Sequence, residues 1–294
     1  ERTEKPATIS YLAPAYNYEK DINETRGNAM KIIVFMNDIL QKYAPGQVGR
    51  YNDDFEPRAF GDNIQKWGTS TILIESGGYP EDIEKQEIRK LNYTSILSAI
   101  YTIAKKSYET ISITEYENIP ENDRKLFDLK IIGANYKLMG NNYTIDLGIN
   151  QVEVDYPEHN TFWYSSRILD QGDLSTYYGY ENLDASAYTI KQARAYPKTL
   201  NTLAEVEALN FKDLLQQGYG FVRMTTIPGN VINSPFPIHL IGAKYKIPEF
   251  KLEPGLNPTF FLEKDGKVEY AVINGFLVDL KTESIKVPNG MIYK

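Results

Sequence analysis

Apolar and polar positions switch between two periods along the first hundred residues. After Pro6, "ATISYLA" is a short apolar run of strand type. From about Asp21 to Tyr43, Ile22, Ala29, Ile32, Ile33, Met36, Ile39 and Leu40 recur at helical spacing, and "APGQ" stops the run. "GRYNDDFEPRAFGDN" breaks both periods with Gly, Pro and Asn-Asp chemistry and reads as a long loop. Ile72, Leu73 and Ile74 then form a second strand. It leads into "GGYPEDIEKQEIRKLNYTSILSAIYTIAKK", a helical pattern whose apolar face carries Tyr93, Ile96, Leu97, Ile100, Ile103 and Ala104. Glu81, Asp82 and Glu84 stand near its start, where the helix dipole favours acids. Strand, helix, loop, strand, helix is the order of an α/β domain.

Beyond about Ser107 the pattern changes. "LKIIGANYKLMGNNYTIDLGINQVEV" holds two β-rich runs around a Gly-Asn turn, a hairpin signal. "GYGFVRMTTI", "PIHLIGAKYKI", "TFFLEKDGKVEYAVINGFLVDL" and "KVPNGMIYK" are further β runs, with Asp265-Gly266 and Asn274-Gly275 as turn candidates. Only "LAEVEALNFKDLLQQG" reads as helix there. The expected organisation is an α/β portion over residues 1–106 and an accessory, mostly β, sandwich-like domain over 107–294.

Composition narrows the chemistry. The 294 residues are 42% hydrophobic, enough for real cores, and include no cysteine and two histidines, His159 and His239. Thiolate nucleophiles and cysteine-rich zinc sites are therefore absent from the sequence. Neither histidine has a ligand-spaced partner, and both read as surface or satisfied core residues. A net charge of -7 with no basic stripe argues against a nucleic-acid partner. No segment reaches the roughly 18 consecutive apolar residues of a membrane span. Asn23, Asn92 and Asn142 begin glycosylation-type triplets, a pattern that arises often by chance. "YNDDFE" lacks the pattern of a dedicated calcium loop, and the tyrosines of "STYYGYENLDASAYTI" read as strand-face filling or a stacking platform.

Glu75, at the end of the Ile72 strand and just before Gly77 and Gly78, is the residue that calls for a reason. Ligands of open α/β sheets bind outside the carboxyl ends of strands, which is where it sits. Spacing alone favours a structural carboxylate, paired with Arg58, Lys66 or Arg89 or accepting amides of the "SGG" turn.

The stretch "AFGDNIQKWGTSTILIESGGYPEDIEKQEIRKLN" closely resembles the end of the catalytic domain of zinc carboxypeptidases of the carboxypeptidase A (funnelin) family, in a bacterial branch with an added C-terminal domain. The similarity runs from about Lys5 to Lys106. It implies an α/β/α sheet, zinc as cofactor and peptide or protein C-termini as substrate. Glu75 would then be the catalytic general base, taking a proton from zinc-activated water and passing it to the leaving amine. The zinc ligands, an HxxE pair and a later His, would lie upstream of Glu1, so the chain is expected to be an N-terminally truncated, inactive piece of its parent. The resemblance places a mobile tyrosine and a pocket residue in the preceding loop, where this chain has Tyr51 and Asp62. Asp62 reads equally as a turn-forming residue. The substrate-gripping arginines lie upstream in the family, and that role is not transferred to Arg50 or Arg58. A periplasmic or extracellular location follows from the family alone. The alternative is a noncatalytic pseudopeptidase that binds or docks through its β domain. The tail "NPTFFLEKDGKVEYAVINGFLVDL" is also similar in pattern to the β-sandwich beside amidohydrolase barrels, a fold-level likeness only.

Overall fold

The structure, a computed structural model, describes residues 5–79, 82, 84–123, 125–156, 158, 161–229, 233–282 and 290–294. Glu81 and His159 lie outside the described residues. The chain divides into two compact units, Glu1–Arg124 and Lys125–Lys294.

The first unit runs β1 (Ile9–Leu12), α1 (Glu24–Leu40), β2 (Val48–Arg50), α2 (Phe60–Lys66), β3 (Leu73–Ser76), α3 (Gln86–Lys105), a 3-10 turn at Ser107–Thr110 and α4 (Thr114–Glu117). Its sheet has the order β2-β1-β3, with β1 parallel to β2 and antiparallel to β3. The α1 helix begins where the Asn23 side chain caps the Arg26 amide, and it buries Ala29, Met30, Ile33, Met36 and Leu40 against Ile9 and Tyr11. Each of the larger side chains among them contributes about 1.5–3 kcal/mol by leaving water. The change of texture at Ser107 is not the boundary between the units. Tyr116 and Ile119 are buried in this core, and the segment after α4 runs along the edge of β2, with Arg50 N–H on Pro120 O and Asn122 N–H on Arg50 O.

The α3 helix is oriented opposite to its apolar stripe. Ile88, Leu91, Ser95, Ser98 and Thr102 face inward, whereas Tyr93, Ile96, Leu97, Ile100, Tyr101 and Ile103 are each at least half exposed. On the inward side the Tyr11 hydroxyl meets Ser95 Oγ at 2.5 Å, and the small residues there let the helix sit close to β1.

The second unit begins with β4 (Leu126–Leu138), β5 (Asn141–Asn150), β6 (Glu153–Tyr156), β7 (Thr161–Tyr164), β8 (Arg167–Gly172), β9 (Tyr178–Asp184), β10 (Thr189–Gln192) and β11 (Arg194–Leu200). Two short helices follow, α5 (Leu203–Glu207) and α6 (Phe211–Gln216), then β12 (Tyr219–Met224), β13 (His239–Gly242), β14 (Phe260–Lys264), β15 (Lys267–Ile273), β16 (Phe276–Asp279) and β17 (Ile292–Tyr293). An eight-stranded mixed sheet has the path β16-β15-β14-β10-β4-β5-β8, with β9 also on β4. Asp265-Gly266 and Asn274-Gly275 form the two-residue turns of β14–β15 and β15–β16, all four residues at positive φ as a type I′ turn requires. The first hairpin turns one residue earlier than the sequence suggests, at Met139–Gly140, so that Asn141 opens β5.

The mostly β, sandwich-like expectation leaves out a second sheet. The strands β11-β12-β13-β17 are all parallel, with α5 and α6 on the crossover from β11 to β12. Parallel neighbours need such crossovers, and the helix within "LAEVEALNFKDLLQQG" supplies one. The architecture of the chain is mixed α/β.

Candidate functional site around Glu75

Strand alternation sets up the site. Ile72 and Ile74 pack on the core of the first unit, so Leu73 and Glu75 project to the opposite face. The register pairs Glu75 with Ser10 on β1, and Ser10 with Gly49 on β2. Tyr51, two residues past Gly49, continues the same face and is held in line by its amide on Tyr11 O at 2.9 Å. Asn122 Nδ2 donates to Ser10 Oγ at 3.1 Å. A Cβ at Gly49 would meet the Ala7, Ser10 and Asn122 side chains at 3.2–3.3 Å, so the glycine leaves room for this polar row.

The structure brings Glu75 and Tyr51 together. The Tyr51 phenol is pushed above its usual range first by burial, then by hydrogen bonding and charge from the Glu75 carboxylate, while Asn122 and Ser10 pull it down. Glu75 itself is exposed. Among the described residues it forms no ion pair with Arg58, Lys66 or Arg89. Arg50 is committed elsewhere, to Glu117 at 2.9 Å and to Ile119 O. The "SGG" glycines serve the sheet: Gly77 N–H donates to Thr8 O at 2.8 Å, and a Cβ there would stand 2.5 Å from Ala7 O.

Asp62 lies in the first turn of α2, almost fully buried, and accepts the Glu56 amide at 3.2 Å. Burial pushes its carboxyl up. No contact among the described residues joins it to Glu75 or Tyr51, and its observed role is to pin the loop before α2. That loop is also clamped by charge. Arg26, buried, donates to Ala13 O and Lys20 O and pairs with Asp53, while Lys20 bridges Asp53 and Asp54. The two aspartates of "YNDDFE" are thus neutralised by cations.

The residues that sequence reasoning missed are Ser10 and Asn122. Ser10 carried a signal, a hydroxyl alternating with Ile9 and Tyr11 on a buried strand. Asn122, more than a hundred positions away, carried none.

Among the described residues, no group of three His, Cys, Asp or Glu side chains is placed to hold a metal ion. His239 is fully buried and engaged at both ring nitrogens, Nδ1 accepting Met291 N–H at 2.8 Å and Nε2 facing Thr259 Oγ1 at 2.7 Å. Of the tyrosines, Tyr177 stacks on Phe127 and Tyr188 bonds Glu269, which accounts for both as packing residues. No helix among the described residues is long and apolar enough to cross a membrane.

No family model and no curated protein matches the sequence. A solved structure that does match is N-acyl-D-glutamate deacylase from Bordetella bronchiseptica, complexed with zinc and a phosphonate inhibitor. The two are 17% identical, with a TM-score of 0.27 over 40% of this chain and 29% of that one. The chain thus spans less than a third of that protein's length, and so loose a superposition carries no argument about fold or activity.

Proposed function

We propose that the chain is the Glu75-bearing part of a zinc-dependent carboxypeptidase, with the metal ligands on the polypeptide preceding Glu1. The observation that carries this reading is an exposed carboxylate at a strand end, without a cationic partner among the described residues and set beside a phenol. The resemblance of residues 59–92 to the end of a funnelin catalytic domain supports it. The described residues do not themselves supply a zinc site, so the part of the reaction that falls to this chain is proton handling.

A carboxylate has two oxygens and about four acceptor positions. With the Tyr51 phenol beside Glu75, acceptor capacity remains for a water, and Glu75 can take its proton as general base and return it to a leaving amine. Tyr51 orients that carboxylate from one side, and Ser10 and Asn122 in turn hold the phenol. Peptide C-termini as substrate and a periplasmic or extracellular location belong to the same proposal. The test is a chain extended upstream of Glu1 through an HxxE motif and a later His. It should bind about one zinc and release C-terminal residues from peptides. Glu75→Gln should lower turnover by about 100-fold or more with zinc retained. Undiminished turnover in that variant, or an upstream sequence without those ligands, would refute the assignment.

A further inference from the structure

The parallel sheet of the second unit ends in a cleft that the peptidase reading does not use. The carboxyl ends of β12, β13 and β17 lead into Thr225, the loop Ala243–Lys246 and Lys294, which together border an open cavity of about 730 Å³. In parallel α/β sheets this is the edge at which ligands sit, because the loops there vary while the strands hold them in place. Lys244, Lys246 and Lys294 all line it, and none of their side chains has an acidic or other hydrogen-bonding partner among the described residues. Three unpaired ammonium groups at one cleft are notable in a chain of net charge -7. Like charges gathered at one cleft repel, and an anionic ligand relieves that repulsion. The loop that carries two of them is held in place: Arg223, on β12, donates through Nη1 to the carbonyls of Gly242, Ala243 and Tyr245 at 2.8, 3.1 and 2.9 Å.

Tyr245 also lines a second, narrower cavity of about 180 Å³. Phe221, Tyr245, Ile247, Phe250 and Tyr293 give this slot apolar and aromatic walls, and Tyr245 and Tyr293 stack at 5.1 Å. Gln192 and Glu249 also line it, offering an amide and a carboxylate to the edge of a ring. Asn257 and Thr259 at its border are already saturated: Thr259 Oγ1 receives Asn274 N–H and donates to Asn257 Oδ1, and the Asn257 amide donates to Ser166 O and Asn274 Oδ1. With His239 Nδ1 occupied by the Met291 amide, the proton sits on Nε2, so His239 donates to Thr259 and cannot serve as its base. The slot is thus a recognition surface for a ring, and a hydroxyl nucleophile is not what it presents.

We infer that the second unit binds a nucleotide-class ligand, its planar ring in the aromatic slot and its phosphate on Lys244, Lys246 and Lys294 at the carboxyl end of the parallel sheet. Lysine suits a phosphate as a point charge, and aromatic walls suit a flat ring. This inference is independent of the role of Glu75.

The test is calorimetric titration of the 294-residue chain at low ionic strength with AMP, GMP, CMP and UMP, with inorganic phosphate, and with the four nucleosides. At least one nucleotide should bind ten or more times tighter than both phosphate and its own nucleoside. The double variant Lys244→Ala, Lys246→Ala should weaken that nucleotide at least tenfold and leave the nucleoside within twofold. Gln192→Trp should weaken both, and Leu256→Trp, from the segment before β14, replaces it should Gln192→Trp melt earlier than the parent. No nucleotide binding tighter than phosphate, or nucleotide affinity unmoved by the lysine changes, would overturn the assignment.

Discussion

Tyr51 and Glu75, twenty-four positions apart, stand side by side on one face of the three-stranded sheet. The phenol is pushed above its usual value by burial and by the carboxylate next to it. Replacing Glu75 with Gln removes that negative charge, so the Tyr51 titration should move down toward the ordinary tyrosine range near about 10. NMR of ring-labelled tyrosine, compared between parent and Glu75→Gln, reads this directly. A Tyr51 titration that ignores the substitution would show that the two groups do not interact. The sign for stability follows from the raised value: the protonated phenol favours the fold below about pH 10, and the contribution is lost as pH rises through the folded value.

Gly77 fixes how closely β3 approaches the start of β1. With Ala7 O 2.5 Å from where a Cβ would be, Gly77→Ala forces backbone apart and displaces the Gly77 N–H bond to Thr8 O. The expected loss is about 1–3 kcal/mol, as for other overpacked sites. Urea denaturation of the variant checks it, and an unchanged midpoint would mean that the strand ends yield without cost.

Arg26 is the buried cation of the first unit, and its pairing with Asp53 ties α1 to the loop after β2. Arg26→Ala strips the backbone carbonyls of Ala13, Lys20 and Asp21 and a partly buried carboxylate of their partner, which should cost about 3–5 kcal/mol. Asp53 is raised by burial but brought below the usual range by Arg26 and Lys20. Its stabilising share is therefore present above the ordinary carboxylate range and lost as pH falls through the folded value. Arg26→Ala should flatten that acid limb in a series of denaturation curves, and an identical limb would assign the pH dependence to other carboxylates.

The parts of this molecule legible in its sequence are those set by local chemistry. Asp265-Gly266 and Asn274-Gly275 announce their turns because few other residues tolerate positive φ, and the strand that carries Glu75 shows in its aliphatic run. What failed was direction. Periodicity identified Tyr93, Ile96, Leu97, Ile100 and Ile103 as sharing one side of α3, but a period cannot say which side faces the core, and here the inward side is the one that carries Leu91, Ser95 and Thr102. The parallel sheet was hidden for a similar reason: short β runs look alike whether their neighbours run with them or against them, and only the helix before β12 signalled a crossover. Tyr51 and Glu75 were singled out through a resemblance, whereas Asn122 reaches Tyr51 and Ser10 only because the chain returns along β2.

The exposed apolar side of α3 has a measurable consequence. A contiguous stripe of large side chains in water favours self-association. Sedimentation velocity of the 294-residue chain should show association that grows with concentration, and Leu97→Lys with Ile100→Lys should reduce it. Because both side chains are about half exposed, the pair should change stability by no more than about 1 kcal/mol. A parent chain that stays monomeric at high concentration would show that this surface is harmless alone.

His239 gives the second unit an acid sensitivity of its own. Burial holds its pKa down to about 3, against 6.5 for a free imidazole. Below pH 6.5 the unfolded chain takes up a proton that the folded chain refuses. Stability that is present above 6.5 is therefore lost as pH falls toward 3, by up to about 1.4 kcal/mol for each pH unit. His239→Gln should show a shallower decline over that interval while being less stable at neutral pH, since either the Met291 amide or the Thr259 hydroxyl loses part of its bonding. Denaturation midpoints at half-unit steps from pH 7 to 4 measure the slope. Parallel curves for parent and variant would mean that the buried imidazole acquires its proton without unfolding, by a local opening of the strands β13 and β17 around it.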